Sequence, residues 1–296
     1  MGKQRDTAAY SYSETKEFWL LTAPLLILLT IFIIGPVCMN FYYAFTKWKG
    51  FGEPTWVGLR NFRRMLHDEM FWTSLKNLFI LSLYIPLRTL APLLIAAVLR
   101  EGLRGWQIFR SILYLPNVIG AVLISLMFSI FLADTGPLNA FLVWLGFSPV
   151  PWLSHSKVAI HTLGGLLGVW GEIGFGCIYF LAAMSTIDPD LYDAARIDGA
   201  GWWRTLISVT IPSIMFAVQF WLVKSFITVF ARMWGGIFLL TKGGPGYSTT
   251  TLEYGIYVKG FGDYRMGYAS SWAVVLFGFC AIIALVQIQL IRRKQS

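Results

Sequence analysis

Charge is what this sequence has least of. Only 13% of its 296 residues are Asp, Glu, Lys or Arg, about half the ~25% of an average soluble domain, and that deficit excludes an ordinary soluble protein. Cysteine is scarce as well. Cys38, Cys177 and Cys280 each fall inside an apolar run, so neither a disulfide framework nor a thiolate metal cluster is expected. The histidines His67, His155 and His161 are dispersed and Glu172 stands alone among apolar residues, which argues against a membrane-embedded enzyme built on clustered His, Asp and Glu. The sequence lacks a Gly-x-x-x-x-Gly-Lys-Ser/Thr phosphate loop, and is therefore not expected to hydrolyse ATP by itself.

What is abundant is apolar length. Hydrophobic residues make up 56% of the chain, and the stretches Phe18 to Thr46, Ser111 to Ala133, Thr205 to Val223 and Met266 to Ile291 contain no charged residue. A bilayer span needs roughly 20 such residues. The pattern predicts an all-α, polytopic membrane protein with six transmembrane helices at about 18–45, 75–99, 108–132, 158–184, 206–231 and 267–291, read as one domain over 1–296. The first span is too long for the h-region of a secretory signal, and is expected to be retained. Trp19, Trp48, Trp72, Trp106, Trp152 and Tyr268 gather near the predicted ends, where amphipathic rings anchor at headgroup level. Pro86, Pro92 and Pro116 are expected to kink their helices. The net charge of +9 is scattered singly between apolar stretches, which favours loops and lipid headgroups over nucleic acid as its partners. Lys and Arg divide evenly between the two sides that six spans would define, so charge alone does not orient the chain.

The segment between the fourth and fifth spans is built as a short, sharply bounded helix. Asp188 suits the N-cap, Pro189 the first helical position, Asp190 and Asp193 the positive end of the dipole, and Gly199 the left-handed residue that stops a helix. Its face at Leu191, Ala194 and Ala195 is apolar and small. So short a helix is marginal alone, and this face is expected to lie in a cleft on another protein.

Asp193-Ala194-Ala195, then Gly199, then Val209-Thr210-Ile211-Pro212 follow the spacing E-A-A, three residues, Gly, nine residues, Ile-x-Leu-Pro. By this pattern the chain resembles the membrane subunits of ATP-binding-cassette importers. The longer run Asp193 to Ala200, Leu240-Thr-Lys-Gly-Gly-Pro-Gly246 with Ser248 to Thr251, Ile256-Tyr257 with Gly267-Tyr268-Ala269, and Gly58-Leu-Arg-Asn-Phe62 are similar to the carbohydrate branch, of maltose and glycerol-phosphate type. Asp193 stands where the family usually has Glu, one methylene shorter. The resemblance implies a permease subunit in a bacterial inner membrane with both termini cytoplasmic. It implies a coupling helix at about 188–199 that docks on an ATPase through Asp190, Leu191, Asp193, Ala194, Ala195, Asp198 and Gly199. The implied partners are a second permease subunit, two ATPase subunits that bind ATP and Mg, an extracytoplasmic solute-binding protein touching the 46–74, 133–157 and 242–265 loops, a saccharide and membrane lipid. No cofactor on this chain is implied. A glycerol phosphate or another non-sugar solute is the alternative cargo. An ion-coupled secondary transporter is the alternative class, and it would predict inverted repeats that the sequence does not display.

Arg88, Glu172 and Lys224 fall within predicted spans and must face protein or water, because each costs ~2.5–3.5 kcal/mol or more at the centre of a lipid-facing helix. Trp221, Ser225, Thr228 and Arg232 recur at intervals of four, three and four and form one helical stripe. With Glu172 and Phe175 they are the expected solute wall, by position within the resembled family. The competing reading makes Trp221 packing, lets Ser225 and Thr228 bond their own i−4 carbonyls, and sends Arg232 to the headgroups. Arg88 is expected to find Glu172 or a freed carbonyl, and Lys224 to neighbour the stripe without lying on it. The surplus of positive charge points to a solute carrying carboxylate or phosphate.

Overall fold

A computed structural model describes residues 7–102 and 106–293. The chain is helical apart from a two-stranded antiparallel hairpin, β1 (Thr46–Lys47) and β2 (Thr55–Trp56). Helix α1 (Thr7–Leu29) continues through a π-helical turn, Thr30–Ile34, into α2 (Gly35–Ala44), and the stretch Phe18–Ala44 is long and apolar enough to cross a membrane. A short α3 (Arg60–Leu66) leads into α4 (Glu69–Ser82) and α5 (Ile85–Arg100), which together make a second candidate span. Asp68 caps α4 by accepting from the backbone N–H of Met70 at 2.9 Å.

The third predicted span is bent rather than straight. Its halves, α6 (Trp106–Ile119) and α7 (Ala121–Phe131), meet at 102°. Pro116 lies inside α6, and the turn comes later, at Gly120, whose φ of 85° only glycine adopts easily. The fifth is bent likewise. Helix α12 (Trp202–Thr205), a π turn at Leu206–Thr210 and α13 (Ile211–Ser213) meet α14 (Met215–Ala231) at 77°, just beyond Pro212. Counted by length and composition, the described residues hold four straight candidate spans, or six if each bent pair is one span.

After α7 come α8 (Pro137–Trp144) and α9 (Ser156–Leu163), the latter joined by a π segment, Gly164–Trp170, to α10 (Gly171–Met184). Helix α10 packs along α5 and α6 at close range because it carries glycines. A Cβ on Gly174 would collide with the Leu113 carbonyl, and one on Gly176 would lie 2.7 Å from Pro92 and from Trp221. Then follow α11 (Pro189–Ile197), α15 (Trp234–Leu240), α16 (Leu252–Tyr257) and the long α17 (Met266–Arg293), which packs on α2 and α16.

Two buried cores result. One joins α4, α14, α15 and α17 around Phe71, Ile237 and Trp272; the other joins α5, α10 and α14 around Leu93, Phe180 and Trp221. The Gly243–Gly246 turn is pinned to the first. Asn77 donates to the Tyr247 and Thr250 carbonyls at 2.9 Å, and the buried Thr250 hydroxyl donates to the Gly243 carbonyl at 3.0 Å. This explains why a run of threonines follows the glycines.

Candidate functional site

The intramembrane charges form one network. Glu172, at the start of α10, forms an ion pair through Oε1 with the Arg88 guanidinium of α5 at 2.8 Å and accepts the Lys224 ammonium of α14 through Oε2. Arg88 is 1% exposed, so this pairing supplies the compensation that a buried cation requires. Lys224 also lies 4.8 Å from the centre of the Phe175 ring and 4.5 Å from that of Trp221, and those two rings are stacked at 5.8 Å. Two cations surround one carboxylate, with aromatic faces sharing the charge of one of them.

The expected solute wall is only partly formed. Glu172, Thr228 and Arg232 line one cavity of about 170 Å³ together with Asn117 and Trp170. Phe175 is 38% exposed. Trp221 and Ser225, however, are fully buried and do not belong to that wall. The Trp221 indole N–H donates to the Arg88 carbonyl at 3.2 Å, a freed carbonyl one turn before Pro92, and the ring packs between Phe175, Tyr179 and Phe180. Thr228 donates to its own i−4 carbonyl, that of Lys224, at 2.9 Å. The stripe is a real helical face, but its first half points into the core. Lys224, one residue off the stripe's axis, is the member that reaches Glu172.

Glu253 is a half-buried carboxylate that sequence reasoning passed over. It accepts from the backbone N–H groups of Met233 and Trp234, each at 3.0 Å, and so caps α15 immediately after Arg232. Burial pushes its carboxyl pKa up, against the opposing pull of the two backbone N–H groups and of Arg232. The signal available was an acid just after the threonine run, within a loop read as a binding-protein contact.

The second candidate surface is α11. Asp188 caps it by accepting from the Asp190 N–H at 3.0 Å, and Gly199 follows with φ 71°. Asp190, Asp193, Ala194, Asp198 and Gly199 are exposed, Leu191 is 49% exposed, and Asp193 pairs with Arg196 at 3.2 Å. Ala195 is turned inward and buried beside Tyr192, so it does not belong to the outward face. Ile197 takes that place at 86% exposure, extending the apolar edge that Leu191 begins. Behind α11 lies a cavity of about 340 Å³ walled by Arg100, Glu101, Tyr192, Arg196 and Trp202. Among the described residues no group of three or more His, Cys, Asp or Glu could hold a metal ion.

Residues 65–294 match the model of the family described as binding-protein-dependent transport system inner membrane component. The chain belongs to that family. As a member of this inner-membrane permease family it is 32% identical over 280 residues to the diacetylchitobiose uptake system permease NgcF of Streptomyces coelicolor, covering 88% of this chain and 79% of the relative. It is 28% identical over 285 residues to the probable starch degradation products transport system permease AmyD of Thermoanaerobacterium thermosulfurigenes, covering 94% of each. A bacterial alginate ABC transporter solved with its alginate pentasaccharide-bound periplasmic protein contains a chain that superposes with a TM-score of 0.81 at 26% identity, covering 96% of this permease and 98% of that chain.

Proposed function

We propose that this permease is half of the membrane pathway of an ATP-driven importer that takes up an oligosaccharide carrying carboxylates. The observation that carries the reading is the cation surplus on the pathway side of α10 and α14. Arg88 and Lys224 hold the one carboxylate of Glu172, while Arg232 shares the Glu172 cavity at no ion-pair distance from any acid among the described residues. An incoming carboxylate offers Arg232 the partner it lacks, and the exposed Phe175 ring offers a stacking face for a sugar. The neighbouring alginate transporter, with its acidic oligosaccharide, supports the same cargo class.

In this reading both termini are cytoplasmic and residues 1–296 act as one transmembrane domain beside a second permease subunit. Two ATPase subunits bind ATP and Mg, and one of them grips α11 through Asp190, Leu191, Asp193, Ala194, Asp198 and Ile197. An extracytoplasmic binding protein delivers the solute to the 46–74, 133–157 and 242–265 loops. ATP-driven closure of the ATPases moves α11, and the cavity opens to each side in turn. Reconstituted with its partners, the transporter is expected to take up uronate oligosaccharides in preference to neutral ones of equal length, and Arg232→Ala to lose the acidic substrate selectively. Equal loss of both substrates would count against charge recognition.

A further inference from the structure

The outer ends of three candidate spans, at Ala44, Glu69 and Met266, frame an open cleft of about 480 Å³. Its floor is the β1 strand with the turn that follows it, one wall is α3, and the other is the segment leading into α17. Five cations line it, Lys47, Lys49, Arg60, Arg64 and Arg265, against the single carboxylate of Asp263, which already lies 3.8 Å from Lys259. All five cations are exposed, and among the described residues none of them is in an ion pair. Arg64 stacks on the Tyr268 ring at 5.2 Å, which fixes the inner wall.

The position of the cleft follows from where the spans end. Apolar helix gives way to loop on all three sides of it, so it sits at the level where hydrocarbon meets headgroups. Its surroundings are apolar as well as basic. Trp56 and Leu59, next in the chain to the lining residues Val57 and Arg60, are each more than half exposed, apolar surface that acyl chains would cover. Cations at the base and bare apolar side chains at the rim match the two ends of one molecule.

We propose that this cleft is a binding site for the phosphate-bearing headgroup of an anionic phospholipid. Five cations facing one engaged carboxylate discriminate between headgroups by net charge. A zwitterionic headgroup brings an ammonium that the cleft repels, whereas phosphatidylglycerol brings an uncompensated phosphate. The site is separate from the Glu172 cavity; it lies within the 46–74 and 242–265 loops proposed above to receive the binding protein, so its lipid binding is measured with that protein absent.

The test uses the whole transporter in detergent. Native mass spectrometry and thermal stability are followed while phosphatidylglycerol, phosphatidylcholine or inorganic phosphate is added. The wild type is compared with the triple variant Lys47→Gln, Lys49→Gln, Arg60→Gln, and with a control of exposed cations elsewhere, Lys157→Gln with Arg204→Gln. Phosphatidylglycerol is expected to bind and raise Tm for the wild type and the control, and the triple variant to bind it about a hundredfold more weakly. Equal binding of phosphatidylcholine, an equal shift from inorganic phosphate alone, or unchanged lipid binding in the triple variant would overturn the proposal. So would loss of acidic-oligosaccharide uptake in that variant with lipid binding intact, which would make the cleft part of solute delivery.

Discussion

The guanidinium of Arg100 lies 3.5 Å from the centre of the Tyr192 ring, joining the last residue of α5 to the middle of α11, and Tyr192 is fixed from below by its hydroxyl contact with Thr210 at 3.2 Å. Helix α5 carries Arg88 three turns earlier, so a single helix touches both the proposed docking helix and the charge network.

Replacing Tyr192 with Leu should therefore loosen α11 from α5, while Phe, which keeps the ring, should not. A cation–π contact of this kind contributes ~0.5–2 kcal/mol. Expected for Tyr192→Leu is ATP hydrolysis retained in the assembled transporter with uptake per ATP reduced several-fold. Equal ratios of uptake to hydrolysis in the Leu and Phe variants would exclude a coupling role.

Glu172→Gln leaves Arg88 buried and uncompensated, and should destabilise the permease by ~3–5 kcal/mol. Adding Arg88→Met to that variant should restore part of the loss, because the stranded charge is then gone. Thermal unfolding of the single and double variants measures this; additive losses would show that the two side chains are not energetically coupled.

Gly174 and Gly176 set the distance of α10 from α6 and α5. Gly174→Ala forces backbone against backbone at Leu113 and should cost ~1–3 kcal/mol as overpacking. Gly278, around which a Cβ would meet nothing within 4 Å, serves as the comparison and should tolerate Ala. The readout is Tm together with the yield of monodisperse protein.

The capping carboxyl of Glu253 predicts a pH dependence. Its raised pKa means that the folded protein holds this proton more tightly than the unfolded chain does. The stability linked to it is complete in acid, below the unfolded value, and is lost as pH rises through the folded value. Glu253→Gln retains an oxygen that can accept from Met233 and Trp234 and should remove this part of the slope. A variant whose stability falls with pH as steeply as the wild type over the acidic range would refute the assignment.

Ile197→Ser should leave folding intact, since the side chain is 86% exposed, yet weaken association with the ATPase subunits. Copurification of those subunits with the permease is the measurement, and undiminished recovery would remove Ile197 from the docking face.

Much of this was legible before any coordinates. The composition announced spans, and the caps at Asp188 and Gly199 bounded α11 to within two residues, because capping is local chemistry. The cost of stranded charge in a bilayer required a partner for Arg88, Glu172 or a freed carbonyl, and the structure pairs it with Glu172. Facing was harder to read. Helical periodicity places Trp221, Ser225, Thr228 and Arg232 on one side of α14, but in an apolar helix it does not say which part of that side meets protein. The same ambiguity exchanged Ala195 for Ile197 on α11. The bend at Gly120 was hidden behind Pro116, a stronger breaker in general but one that α6 accommodates.

The π segment Gly164–Trp170 ends one residue before the turn of α10 that carries Glu172. A π winding holds more residues per turn than an α winding, and removing one residue's worth of slack would rotate everything beyond it by about 100°. Glu172 would then swing away from both Arg88 and Lys224. The two ion pairs therefore depend on the π winding before them, which sets the angle at which one carboxylate faces cations from two other helices.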